Sequence, residues 1–211
     1  MPPSAGIYNP TVNVGKMVNR GFELELNYGD TVNGFDYNIG FNLSTIHNEM
    51  LKADPNQVLY GSAWKGSGHF VTQTLKGYPV ASFWLYQTNG IFQSDTEAAA
   101  YVNSKGERLQ PDAEAGDIRF IDTNGDGSID ANDKVYSGSG IPKVEANLSF
   151  SGSYKNFDLS FQLGSAWGHK LYNVNRLYYE GMDAGRNYFR STLNAWTPQN
   201  TGSDIPRAVL G

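Results

Sequence analysis

Four stretches of this chain alternate apolar and polar residues, and they come as two pairs, each joined by a short turn. The first places Phe22, Leu24, Leu26 and Tyr28 on one face and Glu23, Glu25 and Asn27 on the other. After Gly29–Gly34 the chain returns with Phe35, Tyr37, Ile39, Phe41 and Leu43 against Asp36, Asn38, Gly40, Asn42 and Ser44. The second pair sets Ala146, Leu148, Phe150 and Tyr154 against Asn147, Ser149, Ser151 and Ser153. It turns at Lys155–Asn156 and continues with Phe157, Leu159, Phe161, Leu163 and Trp167 against Asp158, Ser160 and Gln162. Alternation of period two over this length makes β-hairpins with one apolar and one polar face.

Two kinds of chain carry such hairpins. A soluble β-sandwich packs the apolar face on a core, and a transmembrane barrel turns it to lipid. Aromatic residues close to the turns (Tyr28 with Phe35, Tyr154 with Phe157) suit the aromatic girdle of a barrel. The polar faces hold Asn, Ser, Gln, Asp and Glu with almost no Lys, unlike a sheet face open to water. Each strand runs about ten residues, the length of a tilted membrane-spanning strand. The expected fold is therefore all-β: a fragment of a large antiparallel transmembrane β-barrel with long extracellular loops. The hairpins about 17–47 and 143–167 would be wall, because four spanning strands cannot close a barrel whose smallest form has about eight.

Composition narrows the function. Of 211 residues, 13% are aromatic and only 18% charged, with 24 Gly, a balance closer to a β-rich surface protein than to a cytosolic enzyme. The net charge of −5 and the lack of a basic cluster exclude a nucleic-acid partner. Cysteine is absent, which rules out disulfides, thiolate metal sites and a Cys nucleophile. No apolar run reaches the length of about 18 residues that a transmembrane helix needs, and Met1–Gly6 lacks the regions of a signal peptide. Export of a barrel then requires a longer precursor.

Residues 1–16 read as a loop. The region from about 49 to 142 reads as largely extracellular, since barrels of this kind have short periplasmic turns and long outer loops. Within it, Glu49–His69 is loop, Val71–Gln93 holds one or two strands or an extra pair of spans, and Asp95–Asn103 is a short helix with an acidic first turn. Tyr172–Trp196 reads as a surface loop with a helix near Arg190–Trp196.

The sharpest local motif is 122–133, DTNGDGSIDAND. Numbered as a calcium loop, Asp122, Asn124 and Asp126 stand at positions 1, 3 and 5, and Gly127 at the sharp bend. Ser128 offers its carbonyl, Asp130 a water-mediated contact, and Asp133 takes the last position, where an EF-hand has Glu. Hard oxygen ligands at alternating positions suit a structural calcium ion. The segment before the loop, Gly116–Ile121, reads as a strand, so this is a lone loop and not a helix-flanked hand. An Asx-rich turn without metal is the competing reading.

No catalytic set emerges. His47, His69 and His169 are scattered. Glu23 and Glu25 share a regular strand face about 7 Å apart, with no sign of a pocket for paired-carboxylate chemistry.

Five segments in order carry a resemblance: Asn13–Glu23 (NVGKMVNRGFE), Gly90–Gln93 (GIFQ), Ala115–Gly127 (AGDIRFIDTNGDG), Tyr154–Ser160 (YKNFDLS) and Trp196–Asn200 (WTPQN). Together they resemble the C-terminal half of the SusC/RagA-type TonB-linked outer-membrane transporters of Bacteroidetes. The resemblance implies a piece of a large plugged barrel, of a class reaching about 22 strands. It implies a SusD-like surface lipoprotein as partner, an oligosaccharide or peptide as substrate, outer-membrane lipid around the wall, and coupling to the TonB complex through a plug region that these residues do not include. The family's signal peptide, TonB box and final strands also fall outside them.

The function expected is therefore part of a TonB-dependent importer in a Gram-negative outer membrane, and not an enzyme. Glu23, Glu25, Asn27, Asp36, Asn38, Asn147, Ser149 and Gln162 would wet the channel, and Trp64, Trp84, Tyr178 and Tyr179 could stack on sugar rings. The alternative is a secreted, calcium-stabilised β-sandwich that binds carbohydrate.

Overall fold

The computed structural model describes residues 15–54, 58–61, 70–182, 185 and 187–209. Residues 1–14, Trp64 and His69 lie outside them. In chain order the strands begin with β1 (Lys16–Arg20), β2 (Glu23–Val32), β3 (Phe35–Thr45), β4 (His47–Lys52), β5 (Leu59–Tyr60), β6 (Thr72–Thr74) and β7 (Ser82–Leu85). They continue with β8 (Thr88–Ile91), β9 (Ile118–Phe120), β10 (Val135–Gly138), β11 (Val144–Tyr154) and β12 (Phe157–Trp167). Two α-helices, α1 (Asp95–Ala100) and α2 (Val174–Glu180), join them. No helix among the described residues is long and apolar enough to cross a membrane. The chain divides into two units, Met1–Phe83 with Gly138–Lys170, and Trp84–Ser137 with Leu171–Gly211.

The first unit is built on the antiparallel sheet β12-β11-β3-β2. The β2–β3 turn is Asn33–Gly34, both at positive φ (52° and 78°), the two-residue type I′ geometry that matches strand twist. It is tighter than the turn expected over Gly29–Gly34. Tyr28 is accordingly not at the turn: it stands opposite Ile39, while Val32 and Phe35 flank the bend. The second turn is Lys155–Asn156, with Lys155 at φ 53° and its ammonium 5.1 Å from the ring centroid of Tyr154. β3 and β11 pair from Thr45–Val144 to Phe35–Tyr154. The long excursion between them therefore leaves and returns at the end opposite both short turns.

None of the apolar residues of these four strands is buried; Phe157 is 80% and Leu163 61% exposed. A sandwich would cover this face with a second sheet, and no second sheet covers it among the described residues. The first hairpin also runs on beyond Thr45. β1 pairs with β4 from Arg20–His47 to Lys16–Lys52, so Glu49–Lys52 is strand where loop was expected. A Cβ on Gly21 would fall 1.8 Å from the Thr45 carbonyl oxygen, so only glycine admits the bend between β1 and β2. Buried Asn48 steadies it, its carboxamide donating to Asn19 and accepting from the Val80 amide at 2.7 Å.

β6, β7 and β8 have three, four and four residues, far short of the roughly 9–11 of a spanning strand. The segment Val71–Gln93 thus adds no spans.

The second unit carries a small core of Phe92, Ala98 and Ala113, with Tyr101 packed on it. Ser94 caps α1 by accepting from the Glu97 amide at 3.1 Å, and the Glu97 carboxylate reaches back to the Gln93 amide at 2.7 Å. α1 stops at Ala100, short of Asn103. α2, not expected from the sequence, is held by an Arg176–Glu180 pair one turn apart at 2.6 Å. The helix expected near Arg190–Trp196 is a 3-10 turn over Arg190–Asn194.

Candidate functional site

Register assigns the two faces of the four-stranded sheet. Glu23, Ser44, Glu145 and Ala166 form one row across the strands; Asn27, Gly40, Ser149 and Gln162 form another; Thr31, Asp36, Ser153 and Asp158 form the row nearest the turns. Directly opposed residues share a face, so every lumen candidate from the sequence lies on this one polar surface. No Lys or Arg occurs on it.

Its glycines have a common use. Asn27 stands opposite Gly40, Asn38 opposite Gly29, and Asn147 opposite Gly164. A Cβ on each glycine would come within 2.9–3.0 Å of the facing carboxamide, so the amides lie low over bare backbone. The surface is consequently flat and dense in hydrogen-bonding groups. Toward the turns it opens into a trough of about 540 Å³ bordered by Asp36, Asn38, Ser151, Ser153 and Asp158.

The opposite face runs Leu24, Leu43 and Ala146, then Leu26, Phe41, Leu148 and Leu163, then Tyr28, Ile39, Phe150 and Phe161. Val32, Phe35, Tyr154 and Phe157 end it at the turns, and Trp167 stands at the other end.

In the second unit the 122–133 loop folds on its own amides. Asp122 accepts from the Gly125 and Gly127 amides at 2.7 and 2.8 Å, and Asn124 accepts from the Asp126 amide at 2.8 Å. Asp126 takes both the amide and the hydroxyl of Ser128 at 2.9 Å, which holds its carboxyl below the usual range. Asp130 caps the turn Ala131–Asp133. Asp133, with no exposed surface, accepts from the amides of Thr123 and Asp130 at 2.7 and 2.8 Å. Burial pushes its carboxyl up, and the amide bonds outweigh that and hold it below the ordinary value. Among the described residues, no three His, Cys, Asp or Glu side chains gather where they could hold a metal ion.

Three of the ordered motifs converge in this unit. The Gly116 amide donates to Phe92, the Arg207 amide donates to Gly116, and the Trp196 indole donates to Gln93 at 3.1 Å. Arg207 clasps Asp117 at 2.7 and 3.2 Å and Glu114 at 2.7 Å. Gly116 (φ 90°) has no room for a side chain beneath Trp196. Sequence reasoning quoted these motifs without seeing that they meet. Of the aromatic candidates, Trp84 is buried at 9% exposure against Tyr136, and Tyr179 packs against Phe189 with the rings tilted by 36° and their centroids 5.0 Å apart.

No family model matches the chain. It is 29% identical over 216 residues to TonB-dependent receptor P3 of Formosa agariphila, covering 100% of this chain and 21% of that receptor. It is 26% identical to TonB-dependent receptor SusC of Bacteroides thetaiotaomicron, over 77% of this chain and 15% of SusC. The solved RagAB peptide transporter superposes on 99% of this chain and 22% of its own, with TM-score 0.63 at 22% identity. The chain is similar to stretches of SusC/RagA-type TonB-dependent receptors.

It spans about a fifth of the length of the curated relatives it matches. Its fold is that of part of a SusC/RagA-type barrel of the outer membrane, and in such a barrel an apolar sheet face meets lipid and a polar one faces inward. The sandwich alternative falls with that assignment.

Proposed function

We propose that this chain supplies wall strands and outer loops of a TonB-dependent importer of glycans or peptides, working with a SusD-like surface lipoprotein. It does no chemistry of its own: the transported molecule passes a wall that hydrogen-bonds and does not react. The single observation that supports this reading most is the division of one sheet into a polar face without cations and an apolar face that nothing covers among the described residues. The names of the relatives, receptors in each case and a peptide transporter among the structures, support the same class. By the parity of short turns and long loops, the long connections between the wall strands belong to the cell-surface side.

The test is made on the whole transporter. Deleting its gene should abolish growth on one glycan or on peptides as sole carbon source, and the tagged protein should co-purify with a surface lipoprotein. Unchanged growth on every such substrate, with no lipoprotein partner, contradicts the proposal.

A calcium ion held by Asp122, Asn124, Asp126, Ser128, Asp130 and Asp133 is a separate proposal resting on the sequence pattern. The competing reading is supported by the amide bonds that already close the loop. Calcium would then add stability to a loop whose own amides already bond its carboxylates.

A further inference from the structure

The lipid-facing surface of β2, β3, β11 and β12 carries one charged side chain, Asp30. It stands opposite Tyr37, which in turn stands opposite Gly152, one row inside Val32 and Phe35 at the turns, about 7 Å along the strand. A carboxylate on the lipid side is disfavoured near mid-bilayer and tolerated toward the interface, so its depth is that of headgroups. One oxygen accepts from the Thr31 amide at 2.7 Å and the other from the Tyr28 hydroxyl at 3.2 Å. Rings surround it: Tyr28 and Tyr37 lie 6.0 Å apart between centroids at 52°, and Phe35 stacks on Tyr37 at 5.7 Å. No cation pairs with Asp30 among the described residues.

An exposed carboxylate beside tilted aromatic faces is complementary to an ammonium group, which gains from the charge and from the ring quadrupoles together. In a bilayer the ammonium available at this depth belongs to a lipid headgroup. We propose that Asp30, with Tyr28 and Tyr37, docks the ammonium headgroup of an aminophospholipid at the short-turn end of the barrel. The carboxylate forms the ion pair, and the two rings flank the headgroup and exclude water from it. An anionic headgroup is repelled from the same place.

The inference rests on the outer-membrane placement, and the experiment separates the two. The whole transporter is purified into nanodiscs of equal phosphatidylethanolamine and phosphatidylglycerol, and lipid retained on the protein is read by native mass spectrometry. The heat-dependent shift of a folded barrel on electrophoresis is read on the same sample. The expected result is about a threefold to fivefold enrichment of phosphatidylethanolamine over the bulk ratio, lost in Asp30→Asn and kept in Asp30→Glu, with the folded-barrel shift in all three. Enrichment equal in the wild type and Asp30→Asn, or absent in a folded wild type, overturns the inference. A protein that never shows the folded-barrel shift overturns the membrane placement itself, and the inference with it.

Discussion

Gly116 lies directly beneath the indole of Trp196: a Cβ on the glycine would sit 2.5 Å from Cε3 of the ring. The same residue is at φ 90°, a region costly for any L side chain. Gly116→Ala should therefore strain the backbone and displace the indole, at a cost of about 2–4 kcal/mol to the second unit. Limited proteolysis of the whole transporter across 84–137 should show cleavage at much lower protease concentration. Unchanged resistance contradicts this packing.

Asp117 carries an acid-sensitive contribution. Burial pushes its carboxyl up, but the clasp of Arg207 and the Glu114 amide outweigh burial and hold it below its ordinary value of 3.8. A group depressed on folding stabilises fully above its unfolded pKa, and that stability fades as pH falls through the lower folded value. Proteolytic resistance of the second unit should thus hold down to about pH 4 and drop below it. In Asp117→Asn the resistance should be lower at neutral pH and less dependent on acid. Equal acid sensitivity in both proteins would remove Asp117 from the account.

The two faces of β3 make opposite predictions at neighbouring positions. Phe41→Lys puts an ammonium into lipid, at about 2–4 kcal/mol if near mid-bilayer, and should cut the yield of assembled transporter in the outer membrane. Asn42→Lys points into the polar lumen and should assemble at wild-type yield. Equal yields from both would contradict the face assignment.

Much of the wall was legible because each of β2, β3, β11 and β12 meets two different solvents, and a period of two records that directly. Where the reading slipped, one residue explains it. Asp30 breaks the apolar alternation, so β2 seemed to end at Tyr28, whereas it continues to Val32 and turns on Asn33–Gly34. The strand β4 was hidden by Asn48 and Glu49, whose polar groups bond to Asn19, Val80 and His47. The second unit was less readable. Its elements are a few residues long and are fixed by partners far along the chain, such as Gln93 with Trp196 and Asp117 with Arg207, which leave no periodic trace. Helix α2 has no buried residue, and so no amphipathic stripe to announce it.

The 122–133 loop separates its two readings by chelation. If calcium adds to the amide-closed loop, EDTA should lower the proteolytic resistance of the second unit, millimolar calcium should restore it, and Asp126→Ala should abolish the response. Resistance that EDTA leaves unchanged assigns the loop to its hydrogen bonds alone.

The central claim, one face to lipid and one to the lumen, is tested most directly by spin labels along β12. The chain has no cysteine, so single Cys substitutions from Asp158 to Leu163 in the assembled transporter introduce the labelling sites in this stretch. Collision with oxygen should peak at positions 159, 161 and 163, and collision with a water-soluble nickel chelate at 158, 160 and 162. Chelate access that is equal at all six positions, or highest at Leu159 and Phe161, would contradict the account.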